Sequence, residues 1–327
     1  GRAAALPGGA AMSAGIWIKK AEAAFFAPAP LRRLAAVRIA TGAFLLKQLW
    51  NNYDNFAQIA RTPVAQWSPV GPLVGWDGPL SPAQFDVWNV VNFLLCLCFV
   101  LGLGWRLLSP LFAVSLLYFF SYRTAWGGVL HGDNLATLHV IVLALGPAGG
   151  AWSVDAWWAA RKGRAEAEEW QVGWNLRLVG LVTTLSYLLA GVAKLVSDPQ
   201  GWTSGKSLLG QIGNDGLYKD LVSSKGATEW VPYLYQHPSL LLVAAVGTLL
   251  LEVGAPLALL DRRLGWLWSV GIWSMHRGIQ MIMGIVFPYP LSGVAFVSFF
   301  PVERGVEWLR TAWKRRLPVR PERSPSP

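Results

Sequence analysis

Lys194 has the strongest case for chemistry in this sequence, because it is a charged residue inside an apolar run that turns polar only at Ser197-Asp198-Pro199. An ionisable side chain within a membrane segment marks a functional site, unless its long stem carries the amine to the membrane surface. Desolvation disfavours the ammonium form of lysine, and a lysine that becomes neutral can accept a proton. We therefore expect Lys194 to be a general base, with a snorkelling lysine as the alternative.

Other polar residues lie in or beside apolar segments. His276, Arg277 and Gln280 make one segment more polar than packing needs, which favours a functional His276 over a structural one. His139 is expected to form a hydrogen bond between helices. A short loop supplies three further candidates, His131, Asp133 and Asn134. For His131 the alternative is an ordinary solvent-exposed histidine without a function.

Two buried charges are expected to serve structure. Arg38 lies in the first apolar segment and needs a partner there, and Glu252, in the sixth, is an acid that could supply it. Such pairs usually set how helices pack. Lys47 lies near a helix end, where its amine can reach the membrane surface.

The composition predicts the elements that position these residues. The chain is 54% hydrophobic and only 14% charged, whereas a soluble protein carries about 25% charged residues. We expect an all-α integral membrane protein, a bundle of about eight transmembrane helices. The apolar segments are at about 33–50, 86–104, 107–122, 134–148, 174–196, 238–260, 265–286 and 289–302. The fourth is short for a bilayer, so its helix is expected to begin inside the preceding loop.

Basic residues predict the orientation. Lys and Arg concentrate on the side that holds both chain ends, which places both termini in the cytoplasm. Few fall on the other side: Arg61, Arg123, Lys206, Lys219 and Lys225. Lys194 then lies near the extracytoplasmic face, together with the loop at 131–134 and the polar segments 51–85 and 197–237. The site is expected to open to that face beneath Trp-rich loops.

The remaining parts of the chain are simpler. Met12 is expected to be the true first residue, and residues 16–30 read as an amphipathic helix on the membrane surface. The tail is basic and rich in proline, which predicts disorder in the cytoplasm. The predicted divisions are a leader and surface helix at 1–31, a transmembrane domain at 32–302 and the tail at 303–327.

Several function classes lack their signals. Cys96 and Cys98 lie in one apolar run and are expected to serve packing. No His/Cys/acid cluster has metal-ligand spacing, so no metal is expected. Basic residues at the ends of apolar runs do not form a nucleic-acid surface, and no nucleic-acid partner is expected.

Four blocks of the sequence form a recognisable ordered set. They are Leu101-Gly-Leu-Gly-Trp-Arg106, Trp152-Ser-Val-Asp155, Ala190-Gly-Val-Ala-Lys194-Leu with Gly201-Trp-Thr-Ser-Gly-Lys-Ser-Leu, and Met275-His-Arg-Gly-Ile-Gln280 leading to Ser298-Phe-Phe-Pro301. In this order they resemble the membrane domain of vitamin K-dependent gamma-glutamyl carboxylase and the wider HTTM family of horizontally transferred transmembrane proteins, which is common in bacteria. The resemblance covers about 33–302, nearly the whole chain.

The resemblance implies quinone chemistry without a metal. Lys194 falls on the carboxylase lysine that deprotonates the reduced quinone (vitamin K or menaquinol type), after which oxygen reacts and carbon dioxide can add to a carbon acid. His276 matches a histidine of the family block, and His131 falls one residue from another functional histidine. Residues expected around the quinone are Trp202, Arg277, Gln280, Asp133 and Asn134. The implied location is the bacterial inner membrane, with the site on the extracytoplasmic side.

The resemblance leaves the substrate open, because the carboxylase has a large extramembrane region that is missing here. Three hypotheses follow. The protein is a quinol-dependent epoxidase or carboxylase-like lyase; or a non-catalytic maturation partner of a secreted peptide or toxin, working with partner subunits; or a protein that only binds quinone or lipid.

Overall fold

The computed structural model describes residues 19–20, 22–127, 131–163, 170–222 and 228–316. The expected all-helical class is confirmed, since these ranges contain no β-strand. Four segments are 3-10 helices: Val64–Gln66, Gly71–Leu73, Ala255–Leu259 and Val294–Phe299. The α-helices from residue 31 onward are α1 (Leu31–Asn51), α2 (Tyr53–Ile59), α3 (Pro82–Leu101), α4 (Trp105–Thr124), α5 (His131–Ala144), α6 (Val154–Arg161), α7 (Trp170–Ser197), α8 (Pro199–Thr203), α9 (Lys206–Val222), α10 (Trp230–Gln236), α11 (Pro238–Val253), α12 (Arg262–Met283), α13 (Pro288–Leu291) and α14 (Val302–Arg316).

Three of these helices are long and apolar enough to cross a membrane: α3, α4 and Val172–Ser197 of α7. A fourth crossing arises if α10 and α11, bent by 102° at their junction, count as one span. Helix α5 is apolar but shorter, and it begins at His131, inside the segment that the sequence assigned to a loop. Each of the first seven predicted apolar segments therefore overlaps an α-helix, although the sixth ends as an α-helix at Val253 and continues as the 3-10 helix Ala255–Leu259.

The eighth apolar segment is not one continuous helix, contrary to the sequence-based expectation for 289–302. It consists of α13 and the 3-10 helix Val294–Phe299, separated by Gly293 at φ 76°. Hydrogen bonds fix its course along α12, because the Trp273 indole donates to the Leu291 carbonyl and the Trp266 indole to the Phe299 carbonyl. The segment thus runs back along α12 toward that helix's beginning.

The tail also differs from the sequence prediction, because its first part is helix α14. Glu303 accepts two hydrogen bonds from the Arg33 guanidinium, at 2.9 and 2.7 Å, and the exposed Glu307 pairs with Arg32. These ion pairs place α14 beside the start of α1. Residues 317–327, like Met12 and the other residues before 19, lie outside the described ranges; of the predicted surface helix, residues 19–20 and 22–25 are described and helical.

The predicted pairing of Arg38 with Glu252 is wrong. Arg38 is fully buried, and its guanidinium donates to the backbone carbonyls of Ala148 at 2.8 Å and Trp152 at 2.6 Å. These carbonyl oxygens are acceptors that need donors, and the buried guanidinium of Arg38 supplies them, whereas Glu252 pairs with Lys194. Arg38 therefore joins α1 to the turn that follows α5.

The α3–α4 hairpin is closed at the same junction. Gly102 and Gly104 both have left-handed backbones, with φ 60° and 59°. The Asp155 carboxylate accepts hydrogen bonds from the Gly104 and Trp105 amides at 2.9 and 2.7 Å, so a side chain from α6 caps the start of α4.

Replacing Asp155 by alanine should lower the free energy of unfolding by about 1–2 kcal/mol, the usual cost of a lost helix cap. Chemical unfolding in detergent micelles, followed by tryptophan fluorescence, measures it. Asp77→Ala is the matched control, because Asp77 is exposed and its loss should change stability by less than about 0.5 kcal/mol. Equal stability of the two variants would show that Asp155 does not hold the hairpin.

Candidate functional site

A cavity of about 900 Å³ lies among α5, α7, α11 and α12. Helices α8 to α10 and residues 285–290 contribute the rest of its wall. Its volume is at the upper end of the range for small-molecule sites, about 300–1,000 Å³. Most of its lining is apolar, including Leu135, Leu138, Leu251 and Ile279. The few polar side chains that face it therefore decide what it can bind.

Lys194 and Glu252 form an ion pair at the cavity wall. Lys194 lies in the last turns of α7, and Glu252, on α11, is only 4% exposed. The two helices approach closely because Gly191 faces Glu252: a Cβ on Gly191 would lie 2.9 Å from the Glu252 Cβ. The Lys194 amine also lies 4.9 Å from the centre of the Trp202 ring, an attractive cation–π distance.

A second polar pair faces the same cavity. The Tyr187 hydroxyl lies 2.9 Å from Nε2 of His276, joining α7 to α12. Tyr187 precedes Lys194 by seven residues, so both side chains lie on one face of α7. The His276 ring also packs against Phe287, with ring centres 4.9 Å apart.

Two buried polar atoms of this group have no partner. Within the described residues, neither Oε2 of Glu252 nor Nδ1 of His276 makes a hydrogen bond. Both residues line the cavity and are at most 6% exposed. A buried polar atom without a partner is costly. A ligand hydroxyl would satisfy Oε2 of Glu252 by donating to it, and a ligand oxygen would accept from Nδ1 of His276 in the tautomer that carries its proton there.

The turn between α7 and α9 places Trp202 over the cavity. Asp198 accepts hydrogen bonds from the Ser207 hydroxyl and, at 3.0 Å, from the Gly201 amide. These two donors, the Ser207 hydroxyl first, hold the pKa of the exposed Asp198 carboxyl below its usual value. Asp198 therefore stays ionised and fixes the turn, and Trp202 is buried as part of it.

The structure brings together only some of the predicted site residues. Lys194, Trp202, His276 and Asn134 line the cavity. Asp133 does not; its carboxylate pairs with Arg123 at 2.6 Å. The side chain of His131 lies outside the described residues. His139, as predicted, joins helices by hydrogen bonds to Tyr289 at 2.7 Å and Thr183 at 2.9 Å.

Arg277 and Gln280 are also separated from Lys194, contrary to the expectation that they surround the same ligand. They hydrogen-bond to each other at 2.5 Å and line a different cleft on the far side of α12. The predicted cover by Trp-rich loops is likewise only half right. Residues 199–236 contribute to the cavity, but 51–85 do not; Trp67 packs there on Tyr122 of α4.

Sequence reasoning missed two members of the site. Tyr187 could have been found from its helical spacing to Lys194, since seven residues are two turns. The sequence marks Glu252 as an acid in an apolar segment but predicts Arg38 as its partner, whereas the partner is Lys194. Within the described residues, no group of three or more His, Cys, Asp or Glu side chains could hold a metal ion.

The four sequence blocks divide into two structural roles. The blocks at 101–106 and 152–155 contact each other through Asp155 and form the α3–α4 junction, away from the cavity. The block at 190–208 and the start of the block at 275–280 supply Lys194, Trp202 and His276 to the cavity. Most of the polar side chains that face the cavity therefore come from the second half of the domain.

Comparison with known proteins gives one match. The family model described as the HTTM domain matches residues 26–302. No curated protein and no solved structure matches the chain.

Proposed function

This chain belongs to the HTTM family, and from that premise we propose that it is a membrane enzyme that binds a reduced quinone in the Lys194 cavity and deprotonates it for reaction with oxygen. HTTM domains are related to the membrane domain of vitamin K-dependent carboxylase. In such a reaction a reduced quinone and one molecule of oxygen give a quinone epoxide and water. Carbon dioxide would be a co-substrate if a carbon acid is carboxylated.

One observation carries this proposal: a Lys194–Glu252 ion pair lines an otherwise largely apolar cavity of about 900 Å³. A quinone has the matching chemistry, since its ring and isoprenoid chain are apolar and its two oxygens are polar. Burying an ion pair in an apolar cavity costs free energy, because both charges lose their hydration. A role in binding or reacting with a ligand would explain why the pair is present.

The ion pair suggests how the proton moves. The sequence pointed to Lys194 as the base, but an ammonium that is paired with a carboxylate has no lone pair to offer. Oε2 of Glu252 is the free acceptor. In the proposed step the quinol hydroxyl gives its proton to Glu252, and the Lys194 ammonium remains beside the new oxyanion and stabilises it.

Tyr187 and His276 are proposed to hold the other end of the quinone ring. Their hydrogen bond keeps the histidine ring in place, and Nδ1 of His276 is left to contact a ligand oxygen. Trp202 offers an aromatic face beside the Lys194 amine for ring packing. The polar groups would then fix the ring, and the apolar lining would take the chain.

The proposed membrane arrangement has eight crossings with both termini in the cytoplasm. The Lys/Arg asymmetry supports this topology. So does the course of residues 288–299 back along α12, followed by the contact of Glu303 with Arg33 at the start of α1. The end of α7, and with it Lys194, then faces the extracytoplasmic side of the bacterial inner membrane.

Glu252→Gln tests the assignment of the acceptor. Glutamine keeps the size and the contact with Lys194 but cannot take the proton, so kcat at pH 7 should fall about 10–100-fold. The loss should persist across a pH series around neutrality, because glutamine has no accepting carboxylate at any of these pH values. Initial rates of oxygen uptake across a pH series measure this.

Glu307→Gln is the matched control for that series, because Glu307 is an exposed acid outside the cavity. Its rate and pH profile should equal those of the unaltered protein. A Glu252→Gln profile that also equals the unaltered one would show that Glu252 is not the acceptor.

The function itself is tested with the full chain in lipid nanodiscs. Reduced menaquinone is supplied, oxygen uptake is followed with an electrode, and the quinone product is identified by mass spectrometry. Epoxide formation supports the proposal. Saturable binding without turnover favours the quinone-binding alternative, and a stable complex from native membranes without turnover favours the partner-protein alternative.

A further inference from the structure

A second cleft, of about 850 Å³, lies between α1 and α12 and is separate from the Lys194 cavity. We call it the lateral cleft. Its wall is formed by Ala40 to Gln48 of α1, by Trp273, Arg277 and Gln280 of α12, and by residues of 286–294.

The broken eighth segment explains why this space exists. Helix α13 has only four residues, and the chain then turns at Gly293 into a 3-10 helix. A short helix followed by a 3-10 helix fills less width than a continuous α-helix between α1 and α12. The small side chains of Ala40 and Ala43 leave the α1 side of the space open as well.

The lateral cleft is positively charged. Lys47 and Arg277 both line it, and its lining contains no Asp or Glu. Both cations are exposed. Within the described residues Lys47 has no ion-pair partner, and Arg277 hydrogen-bonds to the neutral Gln280. Two cations without a carboxylate between them favour an anionic ligand.

An apolar surface leads up to these cations. Leu267 and Val270 are 71% and 57% exposed, and at intervals of three or four residues they share a face of α12 with Trp273 and Arg277. In a membrane protein such exposed apolar side chains contact lipid chains. Lys47 and Arg277 lie toward the C-terminal ends of α1 and α12. Near the end of a membrane helix, a long basic side chain can extend to the lipid headgroups.

We propose that the lateral cleft binds an anionic phospholipid, with its phosphate between Lys47 and Arg277 and an acyl chain along Trp273, Val270 and Leu267. Gln48 and Gln280 offer amide groups to the headgroup beside the two cations. This site takes a different ligand from the quinone cavity and does not depend on turnover there. His276 and Arg277, though adjacent, thus serve different ligands on two faces of one helix.

The test uses the full chain in detergent micelles and native mass spectrometry. Phosphatidylglycerol and phosphatidylcholine of the same chain length are titrated separately onto the protein. The unaltered protein should prefer phosphatidylglycerol. Lys47→Ala with Arg277→Ala should weaken its binding about 30-fold, at about fivefold per cation. Binding of phosphatidylcholine should change little.

The matched control is Arg32→Ala with Lys162→Ala, which removes two exposed cations outside the cleft and should keep the preference. An unchanged preference in the Lys47/Arg277 variant overturns the proposal. A competition arm distinguishes the source of the phosphate: inorganic phosphate in large excess should not displace the lipid. Full displacement would mean a site for free anions and would also overturn the proposal.

Discussion

Lys194→Ala is expected to lower quinol-dependent oxygen uptake by about 100-fold or more, the usual loss when a charge that stabilises an oxyanion is removed. Without the ammonium, the described lining of the cavity has no positive charge to stabilise the Glu252 carboxylate before the proton transfer or the quinol oxyanion after it. Oxygen uptake by the full chain in nanodiscs, at saturating reduced menaquinone, measures the change in kcat.

Lys194→Arg separates the two roles that a lysine can have. Arginine keeps the positive charge and the ion pair but cannot lose a proton, so it should retain more activity than alanine does. If arginine is as inactive as alanine while Glu252→Gln retains full activity, Lys194 itself is the base and the role assigned to Glu252 is wrong. Lys162→Ala, an exposed lysine outside the cavity, should leave the rate unchanged.

Arg38→Met is expected to have the largest effect on stability, about 2–6 kcal/mol, because two buried carbonyls would each lose a donor at about 1–3 kcal/mol. Methionine fills much of the volume but donates no hydrogen bond. The carbonyls of Ala148 and Trp152 would then lose their guanidinium donor in a buried place. Unfolding in detergent micelles with a denaturant series measures the change.

Arg32→Met is the matched control, since Arg32 lies on the same helix but is exposed and pairs with the exposed Glu307. Its loss should cost at most about 1 kcal/mol. If Arg38→Met does not fold, Arg38→Lys should still give a measurable protein of intermediate stability, because lysine keeps the charge but not the planar fork. Equal stability of the Arg38 and Arg32 variants would contradict the junction role.

Much of the helical framework could be predicted from the sequence. The apolar segments at 86–104, 107–122 and 174–196 became α3, α4 and α7, because a long apolar run in a membrane can satisfy its backbone only as a helix. The broken form of the eighth segment could not be read from its composition. Its shape depends on indole donors from Trp266 and Trp273, which come from another helix.

The site was predictable at Lys194 and less so around it. A lysine in an apolar run is a local signal. Trp202 and His276 are predictable because they lie in the sequence blocks that resemble the family. Arg277 and Gln280 were grouped with His276 because they are close in sequence. Neighbouring residues on a helix point about 100° apart, however, so His276 faces the cavity and Arg277 faces the lateral cleft.

The sequence by itself determined the helical membrane class and marked Lys194 as a candidate functional residue. Both follow from local properties, namely the hydropathy of each segment and a single charge within an apolar run. Only the tertiary structure decided the charge partners. Lys194 meets Glu252, 58 residues away, and Arg38 meets backbone carbonyls more than 100 residues away. The partner of Lys194 depends on the close approach of α7 and α11 at Gly191. The partners of Arg38 depend on which buried carbonyl oxygens lack another donor. Both conditions arise only when the helices pack together.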